Sequence, residues 1–558
     1  MKQKEQRNWW KEGVVYQVYP RSFKDSNGDG IGDLQGIIAG LDYIKSLGVD
    51  IIWLNPIYAS PNADNGYDIS NYREIMKEFG TLEDFDRLLQ EVHARGLKLV
   101  LDLVVNHTSD EHPWFIEARK SRNNPYYAYY HWWPVEKESP PFRPGYFEPS
   151  AWSYNRTTRS WYLHYFSRKQ PDLNWENPEV REEIYNLMGF WFEKGIDGFR
   201  MDSITLISKD TTFPPIDRKK HPDIFSYYAH GPHLHDYLHE MNRRVVSRYE
   251  VMTVGEGSAL DDKDVAAFVD PDREELNMLY GFGPSDVRMY TRPDTPNSGI
   301  GYSLIALKKM FGRWDKAVGK GWPAVYLGNH DQPRMLSRFG NDAPEFRQYA
   351  AKMLATLLLT LRGTPYWFAG DEIGMKNADF NRIEDYRDIA TWNQYREIER
   401  KGEDVKAFLE IQRHTSRDNA RTPFQWNSTF QAGFTIGNPW IRVNTDYSEI
   451  NVACQERDPW SVLNYFRRLV AFRKAHPEMV YGSYTVLDIE NPQVYSYLRE
   501  SPGHRFLVVL NFSPKSAAAW LDIDLSGAEI KFSNYESAGG KERIKSLRPF
   551  EALLITCS

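Results

Sequence analysis

The 558-residue sequence predicts an α/β protein whose main unit is a closed (β/α)₈ barrel. Short runs of strand-forming residues, bounded by turn residues, recur through the first two-thirds of the chain. Between most of them lie stretches with apolar residues at three- and four-residue spacing, which is typical of amphipathic helices. Buried-type strands that alternate with helices predict a barrel of parallel strands. The eight predicted strands span residues 14–20, 50–56, 97–105, 197–204, 251–256, 275–282, 323–329 and 364–372.

Two helices are clear from the early part of the chain, at residues 34–48 and 81–96. The second begins with Thr81, a good N-cap residue placed three positions before Asp84, and ends at Gly96. These are strong boundary signals for a helix, so the first three strands are expected to be joined by helices, as a barrel requires.

The spacing of the elements also predicts the domain organisation. Residues 1–106 form the first part of the barrel, and 107–174, rich in Tyr, Trp, Pro and Arg without helical period, form an irregular insert over the face where the strands end. Residues 175–477 complete the barrel and carry a helical insert at about 379–406. From 478 to 558 short segments alternate in hydrophobicity, which predicts a C-terminal antiparallel β-sandwich.

Composition limits the possible partners and surroundings. The net charge of −7 argues against nucleic acid and anionic membranes as partners, and no run of eighteen apolar residues occurs. Only Cys454 and Cys557 are present, too few for a disulfide scaffold. Free thiols and an N-terminus without an apolar signal segment lead us to expect a cytoplasmic protein, and we expect it to be a monomer.

Three short stretches, at residues 198–202, 253–257 and 327–331, are runs of strand-forming residues that lead into a carboxylate: Asp202, Glu256 and Asp331. Carboxylates are poor strand formers and are costly to bury, so one of them alone could simply cap a helix or pair with an arginine. Because the carboxyl ends of barrel strands meet at one face, three such acids predict a shared pocket. Paired carboxylates suit a reaction with a cationic transition state, and glycoside cleavage is the foremost case.

Neighbouring residues suggest different roles for two of these acids. Strand alternation places Arg200 on the same face as Asp202, where a guanidinium favours the ionised carboxylate that a nucleophile requires. Glu256 follows Val254 and Gly255 in an apolar setting. Burial there is expected to raise its pKa, which suits a general acid.

The sequence that carries these acids resembles a known family, glycoside hydrolase family 13, the α-amylase family. Four segments look like its signature regions: DLVVNH (102–107), GFRMD (198–202), VGE (254–256) and NHD (329–331). QPDLN (170–174) looks like the fifth region of the oligo-1,6-glucosidase subgroup. The resemblance extends over essentially the whole chain, through WWKEGVVYQVYPRSF (9–23), NGYDISNYR (65–73), SRDNARTPFQW (416–426) and SYLRE (496–500).

The resemblance implies a role for each matching residue. Asp202 would be the nucleophile, Glu256 the acid/base and Asp331 a stabiliser of the oxocarbenium-like transition state. The sugar in the first subsite would be held by His107, Arg200 and His330.

The resemblance further implies a pocket with a closed end. Asp68 and Arg417 would pair there and bind the terminal glucose hydroxyls, with Tyr67 stacked on the sugar ring. Phe166 and Gln170 complete the implied substrate-binding set. A carboxylate–guanidinium pair recognises a sugar terminus by charged hydrogen bonds, so the expected substrate is a short α-glucoside attacked from its end.

A separate motif, DSNGDGIGD at 25–33, matches the first half of a calcium-binding loop. The expected oxygen ligands are the side chains of Asp25, Asn27, Asp29 and Asp33 and the carbonyl of Ile31. Gly36 replaces the bidentate Glu of a complete loop, and a plain polar turn is the alternative. Because the resemblance also implies Ca²⁺ here, we expect a structural calcium ion.

The sequence departs from the resembled subgroup on the leaving-group side. The residue after the nucleophile is Ser203, where Val is usual in enzymes that prefer α-1,6 links and Thr in those that prefer α-1,4 links. Gly257, Gly283 and Pro284 are expected to open the aglycone side. The linkage preference is therefore left open between isomaltose-type sugars, maltose-type sugars and sucrose.

Three functions are compatible with these observations. The leading hypothesis is a retaining exo-acting α-glucosidase that works through a covalent glucosyl-enzyme. The alternative is a glucosyl-transferring enzyme such as a sucrose isomerase, which the absence of an Arg-Leu-Asp-Arg-Asp loop at 287–299 disfavours. A non-catalytic relative is remote, because such relatives usually lack catalytic acids and carry a membrane anchor.

Overall fold

A computed structural model of the chain describes residues 8–217, 219, 224–281, 302–537 and 539–557. The predicted barrel is confirmed: eight parallel strands close into a ring in which each pairs with its neighbours in the chain and the eighth pairs with the first. The strands are β1 (Val15–Val18), β2 (Ile51–Leu54), β3 (Lys98–Val104), β4 (Gly198–Asp202), β5 (Met252–Gly257), β6 (Met278–Gly281), β7 (Trp322–Val325) and β8 (Thr364–Phe368).

Strand register brings the charged residues of three strands together. Arg200 on β4 lies opposite Asp102 on β3. On its other side Arg200 lies opposite Val254 on β5, so Glu256 is two residues further toward the same end of the barrel. Side chains of parallel strands in register point to the same face, which places the acids around Arg200.

The helices that surround the barrel follow the predicted pattern. Both early helices are confirmed, and Thr81 forms a capping box with Asp84 at the start of the second. The longer helices between and after the strands are Leu34–Ser46, Leu82–Ala94, Pro178–Lys194, Leu234–Arg244, Asp262–Val269, Leu304–Ala317, Pro344–Thr360 and Val462–Ala475. Shorter helices span Trp9–Glu12, Pro20–Phe23, Met335–Phe339, Val452–Arg457 and Pro477–Tyr481. No helix among the residues described is long and apolar enough to cross a membrane.

The insert after β3 is more regular than expected. It contains the helix Pro113–Ala118 and a three-stranded antiparallel sheet of Trp132–Pro134, Ser160–Leu163 and Trp152–Asn155. Strands of three or four residues are too short to show a period in the sequence, which is why the segment read as irregular. A further two-stranded ladder joins Tyr58–Ala59 to Asn71–Ile75.

The predicted helical insert extends beyond its expected end. It consists of two helices, Ile389–Lys401 and Val405–Thr415, which follow β8. Asp388 caps the first of them, accepting hydrogen bonds from the backbone and hydroxyl of Thr391. The insert therefore begins with a buried carboxylate close to the carboxyl end of the barrel.

The C-terminal domain is antiparallel, as predicted, and its strands form one five-stranded sheet. They are β9 (Ser483–Val486), β10 (Val494–Ser501), β11 (His504–Asn511), β12 (Glu529–Ser533) and β13 (Ala552–Cys557), in the spatial order β9-β10-β11-β13-β12. The opposite layer is irregular chain rather than a second sheet. The segment 517–525 belongs to the stretch in which alternation predicts strands, but it contributes only a bridge from Ala517 to Leu547.

Both faces of the three central strands, β10, β11 and β13, are largely buried. Tyr497 and Val508 belong to the same hydrophobic core as Leu357 of the barrel helix Pro344–Thr360. Arg499 on β10 is also buried and donates to the carbonyl of Thr360 at 2.6 Å. The other face packs against residues of the irregular layer, including Leu547.

Candidate active site

A pocket of about 680 Å³ opens at the carboxyl ends of the barrel strands. Most of the predicted site residues line it: Tyr67, His107, Phe166, Gln170, Asp202, Ser203, Glu256, Asp331 and Arg417. Arg200 and His330 lie directly beneath the pocket wall and are fully buried. The structure thus brings together residues from β4, β5, the loop after β7 and the insert.

Arg200 is the centre of the charged network below the pocket. Its Nη1 donates to Asp202 Oδ1 at 2.8 Å and to Asp102 Oδ1 at 2.9 Å. Its Nη2 lies 2.7 Å from Glu256 Oε1, and its Nε donates to the Tyr280 hydroxyl at 2.7 Å. One guanidinium therefore holds both carboxyl groups that were predicted to act as a pair.

The two acids differ in their pKa values. Burial is the main cause that raises the pKa of Glu256 to about 7, with a further increase from the charges of Asp202 and Asp331. Burial also raises the pKa of Asp202 to about 6, although the Arg200 guanidinium opposes this shift. Arg200 therefore limits the increase for Asp202 without lowering its pKa below the ordinary value. Near neutral pH, Asp202 is the more ionised of the two.

Ser203 follows Asp202 in a left-handed backbone conformation with φ of 44°. This turn aims its backbone N–H at Glu256 Oε2, at a distance of 2.9 Å. Non-glycine residues with positive φ are uncommon and are frequent at functional sites. The Ser203 side chain lines the pocket beside both acids.

Asp331 is held in the ionised form. Its Oδ1 accepts hydrogen bonds from Arg417 Nη1 at 3.1 Å and from Arg421 Nη2 at 3.0 Å, and its Oδ2 lies 3.0 Å from His330 Nε2. Against the effect of burial, the hydrogen bond from His330 and the charges of Arg417 and Arg421 keep the pKa of Asp331 well below its ordinary value. A permanent negative charge is therefore fixed at the pocket wall.

Arg417 closes one end of the pocket. Its Nη2 donates to Asp64 Oδ1 at 3.2 Å, and its Nε donates to Asp388 Oδ1 at 2.9 Å. Together with Asp331, these carboxylates surround the guanidinium, and both line the pocket. The predicted charged dead end is present, but it is built from a different set of acids.

The predicted pairing of Asp68 with Arg417 is wrong, because Asp64 occupies that place. Asp68 is fully buried and accepts the backbone N–H groups of Ala63 at 2.8 Å and of Asp64 at 2.9 Å. Two left-handed residues, Asn62 and Asn65, turn the loop so that Asp64 reaches the pocket. Asp68 instead holds the shape of this loop.

Aromatic and histidine side chains form the remaining wall. Tyr67 stacks on His330 with ring centroids 5.2 Å apart and donates its hydroxyl to Asp102 Oδ2 at 2.8 Å. His107 packs against Phe166 with ring centroids 5.1 Å apart. Burial lowers the pKa of His107 to about 3 and that of His330 to about 4, so both imidazoles are neutral.

Gln170 connects this wall to the closed end. Its Nε2 donates to Asp64 Oδ2 at 3.1 Å and to the Tyr67 carbonyl at 3.3 Å. The fifth-region motif therefore meets the loop of Asp64 at the pocket. The residues that the sequence did not single out are Asp64, Asp102, Tyr280, Asp388 and Arg421.

On the leaving-group side, Gly257 lines the pocket together with Leu260. A Cβ on Gly257 would lie 2.5 Å from Leu260 Cδ1, so the absence of a side chain at 257 leaves room for Leu260. Gly283, Pro284 and the segment 287–299 lie outside the described residues.

The calcium-type loop is tightly hydrogen-bonded to itself. Asp25 accepts the backbone N–H groups of Asn27 and Gly30, at 2.9 and 2.8 Å, and Asp33 caps the following helix. The side chains of Asn27 and Asp29 also accept backbone N–H groups of the loop. In the part of the chain that is described, no three acidic, histidine or cysteine side chains are grouped as a metal site. The side-chain atoms that this loop could offer to a metal ion are all oxygens, which is the ligand type that calcium prefers.

Taken together, the pocket holds one carboxyl group with a pKa of about 7, one with a pKa of about 6 and one that is permanently ionised. Such a set can donate a proton, attack a carbon atom and stabilise a developing positive charge. The neutral histidines and the buried arginine add fixed hydrogen-bonding groups around it.

Comparisons with known proteins agree with this architecture. A family profile described as the catalytic domain of alpha amylase matches residues 17–482. The oligo-1,6-glucosidase of Parageobacillus thermoglucosidasius is 51% identical, with 98% of each chain covered, and that of Bacillus cereus is 47% identical, with 98% of this chain and 99% of the relative covered. The crystal structure of the trehalulose synthase MutB from Pseudomonas mesoacidophila MX-45 is similar with a TM-score of 0.93 at 42% identity, covering 99% of this chain and 100% of that one. The chain therefore belongs to the α-amylase family, glycoside hydrolase family 13.

Proposed function

We propose that this protein is an α-glucosidase that hydrolyses short α-glucosides from the non-reducing end with net retention of configuration. The observation that carries the proposal is the placement of Asp202 and Glu256 on the two Nη atoms of Arg200, at 2.8 and 2.7 Å. Carboxyl groups that share one guanidinium are close neighbours, which favours the separation of about 5 Å found in retaining enzymes over the wider spacing of inverting ones.

In the first step, Asp202 attacks the anomeric carbon while Glu256 protonates the glycosidic oxygen. The leaving group departs, and the glucosyl unit is bound to Asp202 as an ester. In the second step, Glu256 removes a proton from a water molecule, and the resulting attack releases glucose and regenerates the Asp202 carboxylate. The fixed negative charge of Asp331 stabilises the oxocarbenium-like transition state of both steps.

The closed end of the pocket supports exo action. Arg417 and the carboxylates of Asp64 and Asp388 offer charged hydrogen-bonding groups to the hydroxyls of a terminal glucose. A chain that continued past this glucose would meet the Arg417 network. The relatives named oligo-1,6-glucosidase support the same substrate class.

The proposal is tested by incubating the protein with maltose, isomaltose, sucrose and trehalose in parallel and following the products by NMR. We expect free glucose from at least one disaccharide, with α-glucose as the first anomer formed. If β-glucose appears first, the retaining mechanism is wrong, and if no disaccharide is cleaved, the substrate class is wrong.

A second candidate is transfer of the glucosyl unit to a sugar, as in sucrose isomerisation. It is favoured by the similarity to the trehalulose synthase structure, with a TM-score of 0.93. The same experiment separates the two: a transferring enzyme converts sucrose into an isomeric disaccharide, whereas a hydrolase converts it into glucose and fructose.

We also propose that the loop at 25–33 binds a structural Ca²⁺ ion through the oxygens of Asp25, Asn27, Asp29, Ile31 and Asp33. The all-oxygen donor set supports calcium over a transition metal. An ion there would crosslink the loop and the start of the helix Leu34–Ser46. We further propose a cytoplasmic monomer; the two cysteines, Cys454 and Cys557, are unpaired.

A further inference from the structure

Lys209 is a buried lysine that lies outside the pocket but is connected to it. It follows the turn after β4, and only 4% of the residue is exposed. Its Nζ donates to Asn106 Oδ1 at 2.8 Å and to the Leu206 carbonyl at 2.7 Å, and it lies 3.3 Å from Asp172 Oδ2. The ammonium is therefore held between the barrel and the end of the insert.

The position of Lys209 determines the orientation of the Asn106 side chain. An ammonium group has three donors and no acceptor, so the oxygen of Asn106, and not its NH₂ group, must face Lys209. The NH₂ group is then directed to His107 Nδ1, which lies 3.1 Å from Asn106 Nδ2. Because an NH₂ group only donates, Nδ1 of His107 must be the nitrogen without a proton.

The proton of the neutral His107 ring is thereby placed on Nε2. This nitrogen donates to the Tyr67 carbonyl at 3.0 Å, and both residues line the pocket. Gln170 Nε2 lies 3.2 Å from the same nitrogen, but its two hydrogens are accounted for by Asp64 and the Tyr67 carbonyl. The chain of contacts is consistent from Lys209 to the pocket wall.

We propose that Lys209 is a positioning residue that acts through Asn106 to fix His107 as the Nε2–H tautomer. His107 then keeps its Nε2–H on the Tyr67 carbonyl and has no unprotonated nitrogen on that side of the ring. The predicted effect on sugar binding rests on the proposed function, whereas the tautomer itself does not. Without the Lys209 contact, the Asn106 amide can turn its oxygen toward Nδ1, which allows the Nδ1–H tautomer and leaves Nε2 without a hydrogen for the Tyr67 carbonyl.

The tautomer is tested by ¹⁵N NMR of the full chain labelled at its 14 histidines, with the His107 signals assigned by their loss in His107→Ala. We expect Nε2 of His107 to be protonated in the unmodified protein. In the double variant Lys209→Met/Asp172→Asn, which removes both buried charges together, we expect signals of both tautomers. A proton on Nδ1 in the unmodified protein, or an unchanged Nε2–H tautomer in the double variant, would overturn the proposal.

Kinetics with p-nitrophenyl α-glucoside provide the second test. We expect the double variant to lower kcat/KM by about 10- to 100-fold, the scale seen when residues that orient a functional histidine are removed. In a His107→Ala background, the same double change should have almost no further effect, because its effect passes through His107. An equal loss in both backgrounds would show a general structural role and contradict the proposal.

Lys308 offers a matched control. It is also a buried lysine beside a buried aspartate, with Nζ 3.3 Å from Asp488 Oδ1, but its contacts are to the C-terminal domain. We expect Lys308→Met/Asp488→Asn to lower stability without changing the His107 tautomer. If the tautomer result is as expected but no glucoside is cleaved, the proposed function fails and the positioning role of Lys209 stands.

Discussion

Ser203 donates its backbone N–H to the Glu256 carboxylate, with 2.9 Å between N and Oε2, from a left-handed conformation with φ of 44°. The residue after the predicted nucleophile thus contacts the predicted acid/base. Its side chain lines the pocket together with the two acids, while its backbone N–H favours the ionised form of Glu256. One residue thus combines a left-handed backbone with a place in the pocket wall beside the predicted acid/base.

This relationship makes position 203 a test of linkage preference. We expect Ser203→Val to shift preference toward α-1,6 links and Ser203→Thr toward α-1,4 links, as in the resembled enzymes that carry these residues. Each variant adds a methyl group to the pocket wall, but only Thr keeps a hydroxyl. A methyl-sized change in a pocket alters the ratio of kcat/KM values by roughly tenfold or more. The measurement is kcat/KM for maltose and isomaltose in parallel.

The control for this prediction is Ser203→Gly, which removes the hydroxyl without adding a methyl group and tolerates the positive φ. Both β-branched variants should also lower Tm, because branched side chains are strained in this conformation. If Val and Thr leave the maltose-to-isomaltose ratio unchanged, position 203 does not set the linkage.

Asp202→Asn is expected to remove the nucleophile while leaving the fold intact. An amide cannot form the glucosyl ester, so kcat should fall by roughly 10⁴-fold or more. Circular dichroism and Tm should remain close to those of the unmodified protein, because the amide oxygen still accepts from Arg200. Measurable turnover that does not follow deamidation back to Asp would reject Asp202 as the nucleophile.

The pKa values predict a bell-shaped pH dependence. Activity requires Asp202 ionised and Glu256 protonated, so kcat/KM should fall below the pKa of about 6 of Asp202 and above the pKa of about 7 of Glu256. The two groups are close together, so the measured values belong to the pair. The optimum should therefore lie between these two values.

Glu256→Gln identifies the alkaline limb of this profile. With p-nitrophenyl α-glucoside the leaving group needs no proton, so a burst of nitrophenol should persist in the variant and no longer decline at high pH. A stopped-flow series across pH measures it. A retained alkaline decline of the burst would assign that limb to another group.

A comparison of variants at Asp64 and Asp68 tests which of the two carboxylates binds the sugar at the closed end of the pocket. Asp64→Asn should lower kcat/KM by about tenfold or more, because a hydrogen bond between charged groups at Arg417 is weakened. Asp68→Asn should mainly lower Tm, because Asp68 accepts two backbone N–H groups of the loop. The reverse pattern would restore Asp68 as the binding residue.

Calcium is expected to act on stability alone. A ligand that binds only the folded state stabilises it by about 2.7 kcal/mol at a concentration of 100 Kd, so added Ca²⁺ should raise Tm. Asp29→Ala should abolish this increase, because it removes one of the proposed calcium ligands. Asp29 is exposed, so the change removes no buried contact. Differential scanning fluorimetry with EDTA and Ca²⁺ measures it, and a loss of kcat on EDTA treatment of the folded protein would contradict a structural ion.

The sequence was sufficient to predict those features that depend on a single strand. Eight barrel strands could be predicted because strands buried on both faces are short apolar runs, and the acids that interrupt them are conspicuous. Asp202 and Glu256 were found in this way, whereas Asp331 was expected at a strand tip and lies in the loop after β7, which ends at Val325. The pKa order of Asp202 and Glu256 could also be predicted, but the upward shift of the Asp202 pKa could not, since burial there outweighs Arg200.

Contacts between distant segments could not be predicted from local pattern. Asp388 meets Arg417 across two helices of the insert, and nothing in the sequence around Asp388 marks it as a pocket residue. Asp64 and Asp68 are four positions apart in one loop, and the choice between them depends on the left-handed turns at Asn62 and Asn65. Asparagine tolerates such turns, but the sequence does not show which residues adopt them.

The C-terminal sheet has a consequence for how this chain can be divided. One of its faces belongs to the hydrophobic core of the barrel, and the Arg499 side chain donates a hydrogen bond to the carbonyl of Thr360 in a barrel helix. A barrel cut at residue 478 would expose that core to water and leave carbonyl groups without donors. The boundary at residue 478 marks a change of strand pattern, but the two parts it separates cannot be cut apart without exposing their shared core. Chimaeras with relatives should therefore exchange the barrel and the sheet together.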